Sequence, residues 1–304
     1  MTLFRLLLTS VFALSTTLVQ AQIAQAQPQN EPETLKIAVA SNFTFAMKAL
    51  IETFEQNTGH SVVASYGSSG KIFAQIQHGA PFQVFFSADQ AKPIALETAH
   101  KKAGFSVPNS RFTYAIGALA LWSSKSDLIT DGASVLSSDK FNKLAFANPK
   151  LAPYGAAAVQ VLEQLKLVKS TRSKWVQGEN IAQTYQFVST GNADLGFIAL
   201  SQLKQAELKQ AQLEQTQLRQ DQQEQPSQIS LGSSWIVPQS FYSPIKQDAI
   251  LLKRGERSEA AKALISFVQS NEGKRIIESY GYTTPSHSMV DEPQLLDQQF
   301  QVDQ

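Results

Sequence analysis

The 304-residue sequence contains no cysteine. That absence excludes disulfides, thiolate catalysis, cysteine metal sites and a lipidated N-terminal cysteine. Histidine is scarce too: His60, His78, His100 and His287 are scattered without metal-ligand spacing, and each reads as a surface or capping residue. Neither sign of charge is in excess. Lys and Arg number 26 against 25 Asp and Glu, a net charge of +1, and no dense basic run occurs, which points away from a nucleic-acid partner. Nor is there an apolar run of the ~18 or more residues that a membrane span requires.

What is present begins with "MTLFRLLLTSVFALSTTLVQAQ": one early charge at Arg5, an apolar run from Leu6 to Val19, and a small-residue exit at Val19-Gln20-Ala21. This is the pattern of a secretory signal peptide over residues 1–21, cleaved after Ala21 with Ala26 as second choice, and followed by a polar leader over 22–34. An exported chain without an anchor has to be kept by a compartment. A periplasm is the simplest one, and free secretion is the alternative.

From Leu35 onward, short apolar runs alternate with helical periodicity, the pattern of a parallel α/β fold. "LKIAVA" (35–40), "SVVASY" (61–66) and "QVFFSA" (83–88) read as strands. Phe43, Met47, Leu50, Ile51 and Phe54 fall on one helical face ending near Gly59, and Ile72 and Ile76 mark a second helix closed by Gly79 and Pro81. A second set starts near "YAIGALALW" (114–122) and continues with strand 143–149, helices 154–165 and 180–191, and strand 193–201. Two such sets predict two lobes. Strand 246–253 and helix 258–270 are too small to stand alone, so they are expected to complete the first lobe.

One segment breaks the pattern. In "QAELKQAQLEQTQLRQDQQEQ" (205–225), Leu208, Leu213 and Leu218 recur every five residues, which advances about 140° per step and makes no stripe for packing. It reads as a Gln-rich surface insertion that can be locally helical, whose solvated role outweighs a partner-binding one.

Four strand-to-helix junctions share a character: Ser41-Asn42, Ser68-Ser69-Gly70, "APYG" (152–155) and "GENIAQ" (178–183). Each presents backbone N–H groups at a helix start, where the dipole also favours an anion, and two add serine hydroxyls. Taken singly, each is more simply a helix cap. Taken together, two from each half and all beyond the carboxyl ends of strands, they could surround one small anion in a cleft between lobes. Ala152, Tyr154 and Ile181 are poor side-chain caps, which favours use of the backbone, and Lys71 is the sole cation nearby.

Enzyme patterns fail. "GSSGKI" has two residues between its glycines where a P-loop needs four, and Ile72 where it needs Ser or Thr; it does not fit a GxSxG elbow either. Asp89 reads as a helix N-cap rather than a catalytic acid. Asn42-Phe43-Thr44 matches a glycosylation sequon, discounted for an exported bacterial-type chain.

The pieces "AVASNFTFAMKALIETFEQNTG", "YGSSGKIFAQIQHGAPFQVFFSADQ", "NPKLAPYGAAAVQVLEQL", "GENIAQTYQFVSTGNADLGFIALSQ" and "YGYTTP", in this order, resemble the periplasmic molybdate-binding proteins that feed ATP-driven (ABC) importers. The resemblance spans about Leu35 to Thr284. It implies a two-lobed periplasmic-binding-protein fold, each lobe a mostly parallel sheet flanked by helices, with crossings near residues 115 and 243: lobe 1 from 35–114 plus 243–284, lobe 2 from 115–242 with the Gln-rich insertion 204–227, and a tail over 285–304. It further implies a monomer that binds molybdate, and tungstate with it, without catalysis or a cofactor, and delivers it to a membrane permease.

By position, Ser41, Asn42 and Ser69 match oxyanion contacts, and Tyr154 and Ile181 match backbone N–H contacts. These residues touch the oxygens and are not direct metal ligands. Some relatives carry a tyrosine hydroxyl where this chain has Ala199, and Asn42 is the candidate to replace that bond. Sulfate or another oxyanion remains the rival ligand. A serine hydrolase using Ser68 or Ser69, and a scaffold acting through the insertion, are the rivals of other classes.

Overall fold

The computed structural model describes residues 31–99, 104–219 and 231–285. The signal peptide, most of the leader, the end of the Gln-rich segment and nearly all of the tail lie outside the described residues.

β1 (Thr34–Ala40) is the centre of the first half, with parallel β2 (Ser61–Gly67) on one side and β3 (Val84–Phe86) on the other. A strand paired on both edges and covered on both faces reads as a continuous apolar run, and Leu35, Ile37, Ala38, Val39 and Ala40 are all buried. α1 (Thr44–Thr58) buries Ala46, Met47, Leu50 and Phe54, three or four residues apart, and stops at Gly59, whose φ of 73° closes the last turn through a bond from its N–H to the Glu55 carbonyl. α2 (Ser69–Gln77) and α3 (Ala91–Thr98) follow β2 and β3. Asp89 Oδ1 accepts the Lys92 N–H at 3.0 Å in the first turn of α3, although the N-cap position itself belongs to Gln90.

The first sheet runs β2-β1-β3-β10-β4, with β4 (Phe112–Gly117) and the late β10 (Ile245–Leu251) antiparallel to their neighbours. β5 (Leu119–Ser123), β6 (Leu144–Ala147), β7 (Trp175–Gly178), β8 (Leu195–Ala199) and β9 (Ser233–Ile236) build the second sheet in the order β7-β6-β8-β5-β9. The chain therefore changes sheets at Ala118, a few residues after the expected crossing near 115, since "YAIGALALW" holds the end of β4 and most of β5. It returns between β9 and β10.

Helices α4 (Pro153–Gln164), α5 (Val168–Thr171) and α6 (Ile181–Ser189) flank the second sheet, and α8 (Glu259–Gln269) and α9 (Asn271–Ser279) cover the first. Each lobe has apolar clusters on both faces of its sheet. Each Leu, Ile or Phe buried there contributes ~1.5–3 kcal/mol relative to exposure.

α7 (Leu200–Arg219) makes the first part of the Gln-rich segment helical, in keeping with a surface insertion of local helicity. Its first turn is seated by buried Ser201, Gln202 and Leu203, and the helix then continues outward with Glu207, Lys209 and Ala211 to Leu213 exposed. Among the described residues, Leu203 is its last buried one. Gln, Glu, Lys, Ala and Leu are all strong helix formers, so a turn nucleated by packing propagates into solvent.

Candidate functional site

The carboxyl ends of β1 and β2 in the first sheet, and of β6 and β7 in the second, lead into the four junctions singled out above. All five residues expected to hold the anion are buried: Ser41 and Asn42 in a short 3₁₀ turn before α1, Ser69 at the start of α2, Tyr154 in the first turn of α4 and Ile181 at the start of α6.

Several bonds join the junctions across the lobes. The Gly70 N–H donates to the Leu151 carbonyl at 2.9 Å, the Ser201 hydroxyl to the Asn42 carbonyl at 2.9 Å, and the Gln247 amide to the Tyr154 hydroxyl at 3.3 Å. Lys71 and Glu179 form an ion pair at 2.6 Å between the second and fourth junctions. Both of its side chains are about half exposed, at 54% and 45%, so the pair contributes little, about 0–1 kcal/mol. The single nearby cation is thus answered by a carboxylate rather than held in reserve.

The two serines after β2 behave differently. Ser69 Oγ accepts the Ala88 N–H at 2.9 Å. Ser68 occupies the N-cap of α2 with extended φ and ψ, yet its side chain makes no capping bond, and its hydroxyl is buried without a partner among the described residues. A serine at an N-cap normally satisfies a helix amide, and an unsatisfied buried hydroxyl costs about 1–3 kcal/mol. Ser68 was part of the quoted junction but not of the expected contacts; failure to cap is a signal that only coordinates reveal.

The other helix starts differ as well. Asn180 caps α6 by accepting the Ala182 and Gln183 N–H groups at 3.0 and 3.1 Å, so this junction does contain a side-chain cap, one residue before Ile181. The Ile181 amide lies outside that cap. Ala152 offers no side-chain cap, and the first turn of α4 leaves the Tyr154 amide without an intrahelical acceptor.

Asn42 is spoken for in part. Its side-chain nitrogen donates to Gln247 Oε1 at 2.8 Å and to the Tyr282 hydroxyl at 3.2 Å. The Ala199 N–H donates to Gln202 Oε1 at 3.0 Å.

No lysine or arginine is among the buried polar residues described. The buried carboxylate, Asp248, is held by Arg111 at 2.6 Å and by the Thr113 hydroxyl at 2.6 Å. Burial pushes the Tyr154 and Tyr114 hydroxyls well above the usual tyrosine value and Tyr282 up to about 12, although bonds with Ser201, Asn42 and Tyr154 oppose the shift at Tyr282. The buried groups that bond from one lobe to the other, Asn42, Tyr154, Ser201 and Gln247, are therefore neutral donors and acceptors, and the charged Lys71–Glu179 pair between the lobes is half exposed. Among the described residues no cluster of His, Asp or Glu could hold a metal ion.

The family described as "Bacterial extracellular solute-binding protein" matches residues 35–283. The chain belongs to that family. Within these solute-binding proteins it is similar to the molybdate-binding protein ModA of Azotobacter vinelandii, with 45% identity over 248 residues, 82% of this chain and 89% of the relative. ModA of Rhodobacter capsulatus is 43% identical over 250 residues, covering 81% and 87% of the two chains. Among solved structures, the periplasmic molybdate-binding protein of Azotobacter vinelandii superposes with a TM-score of 0.72 at 37% identity, covering 83% of this chain and all of that one. The fold of this solute-binding chain is thus the two-lobed one expected from its sequence, two five-stranded sheets flanked by helices.

Proposed function

We propose that this protein captures molybdate, and tungstate with it, in the cleft between its lobes, and delivers it in the periplasm to the permease of an ABC importer. Ser41, Asn42, Ser69, Tyr154 and Ile181 supply the contacts, the last two through their backbone N–H groups. The protein acts as a monomer and without catalysis.

The observation that carries the reading is the pair of serines at the start of α2. One hydroxyl has its oxygen satisfied by Ala88 and its hydrogen left to donate, and the other, Ser68, is buried with no partner among the described residues. A tetrahedral dianion taken out of water must have its oxygens satisfied. Hydrogen bonds to a charged group contribute about 1.5–3 kcal/mol each, so a handful of neutral donors offsets that desolvation. Donors fixed for a large oxyanion sit too far apart for sulfate. A phosphate pocket would carry a carboxylate acceptor for the remaining P–OH, and the one carboxylate at the four junctions, Glu179, is engaged by Lys71 at 2.6 Å. The hydrolase alternative lacks support: neither Ser68 nor Ser69 bonds to a histidine or carboxylate among the described residues.

A thermal melt of the mature chain with molybdate, tungstate, sulfate or phosphate tests the reading. A ligand at about 100 times its Kd adds ~2.7 kcal/mol, a rise of roughly 5–10 °C for a chain of this size. A rise with molybdate and tungstate alone is expected; a rise with sulfate or phosphate instead discards the ligand, and no rise returns the junctions to being caps.

A further inference from the structure

We propose that Gln247 is the positioning residue that sets the spacing between the two halves of the oxyanion site, and through it the size of anion accepted. The inference rests on the cleft-binding function proposed above.

Gln247 lies on β10, just after the chain has returned from the second sheet to the first, and the pairing of β10 with β4 shifts register between Gln247 and Asp248. Such a bulge re-aims side chains. Here both Gln247 and Asp248 are fully buried. Asp248 is held by Arg111, while Gln247 reaches across the base of the cleft.

Its carboxamide is used at both ends. Oε1 accepts from Asn42 Nδ2 at 2.8 Å and Nε2 donates to the Tyr154 hydroxyl at 3.3 Å. Asn42 is a proposed anion contact on one lobe, and Tyr154, whose backbone N–H is a proposed contact on the other, is gripped here by its side-chain hydroxyl, so one rigid planar group ties the two residues together. Tyr282 braces the Asn42 end: its oxygen accepts from Asn42 Nδ2 at 3.2 Å, and its hydroxyl lies 2.7 Å from the Asn42 carbonyl that it donates to. Gly117 makes room for the crossing, since a Cβ there would stand 2.0 Å from the Tyr154 oxygen and 2.6 Å from Gln247 Nε2. Donors held at one spacing match the oxygens of one size of tetrahedral ion; released, they adjust to others and discriminate less.

Calorimetric titration of the whole chain with molybdate and with sulfate, for wild type and Gln247→Met, tests the assignment. Met keeps the volume and removes all three side-chain bonds of the carboxamide, those with Asn42 and Tyr154 and the one that Oε1 accepts from the Tyr114 hydroxyl at 3.1 Å. The expected result is at least a tenfold loss for the preferred anion, a loss of less than threefold for the other, and a ligand-free melting temperature lowered by no more than a few degrees. An unchanged ratio of the two affinities, whether or not both weaken, overturns the proposal and leaves Gln247 a structural residue. Should Gln247→Met not fold, Tyr154→Phe removes the far end of the same bond and is read by the same ratio. Wild type settles which anion is preferred; only the variants decide the role of Gln247, and a wild type that binds neither anion overturns both readings.

Discussion

Ser69 Oγ accepts the backbone N–H of Ala88 at 2.9 Å, which ties the start of α2 to the end of β3 and leaves the serine hydrogen free to point at a bound oxygen. Ser69→Ala removes that donor from a buried charge, and oxyanion binding weakens by about 1–3 kcal/mol. Ser68→Ala separates the two serines. Its hydroxyl has no partner to lose among the described residues, so the ligand-free chain keeps or gains stability while binding weakens. Calorimetric titration and melts of both variants check this, and unchanged affinity removes the residue concerned from the site.

Gly117→Ala makes a steric test of the floor of the cleft. The added methyl collides with the Tyr154 hydroxyl at 2.0 Å and with Gln247 Nε2 at 2.6 Å, and neither group is the free end of an exposed side chain. Overpacking of this kind costs about 1–3 kcal/mol, and it displaces the helix start that carries the Tyr154 amide. Urea denaturation together with a binding isotherm should register both losses. A variant as stable as wild type would mean that Tyr154 has room to move aside.

Most of this architecture is legible in the sequence because β1, β3, β6 and β8 are buried on both faces and so appear as plain apolar runs. β7 and β9 are not, since they are four-residue edge strands: Gln177 on one and Ser234 and Ile236 on the other are exposed, which leaves no run and no clean alternation. The sheet change at Ala118 is hidden for the opposite reason, two apolar strands in succession with no turn signal beyond Gly117. At the site, Asn42, Ser69, Tyr154 and Ile181 are visible because helix starts after strands have a local signature. Gln247 has none. "IKQDAIL" carries three polar residues in succession, Lys246, Gln247 and Asp248, and only the structure shows that the last two are buried, on either side of a shift in register.

Affinity for molybdate should be flat between pH 6 and 9, within roughly twofold. The ion is fully charged throughout that window. Tyr282, pushed up to about 12 by burial, stays neutral, as do Tyr154 and Tyr114, which burial pushes well above the usual value. Titrations in three buffers check the point. A sigmoidal dependence would place a titrating group against the ligand.

Deleting residues 205–225 should leave ligand affinity within a few-fold, because α7 is held by its first turn and Leu213, on its exposed stretch, is 43% exposed. Loss of binding in the deletion would transfer the function to that segment.

Glu33 gives the chain a predictable acid sensitivity far from the cleft. Its carboxylate accepts the Ser258 hydroxyl at 2.6 Å and the Glu259 and Ala260 N–H groups at 3.1 and 3.4 Å, so it anchors the segment before β1 onto the first turn of α8. The Ser258 bond, together with those amides and His60, lowers its pKa against the opposing effect of burial. A lowered folded-state pKa stabilises the protein above the ordinary carboxylate range, and the contribution disappears as pH falls through the folded value. Glu33→Ala should therefore cost about 0.5–2 kcal/mol at neutral pH, the usual range for a lost helix-capping acceptor, and progressively less below roughly pH 4, where the wild-type carboxylate is itself protonated. Urea denaturation at pH 7 and pH 3 measures the difference. A gap that stays constant with pH would mean that Glu33 acts through packing rather than through its charge.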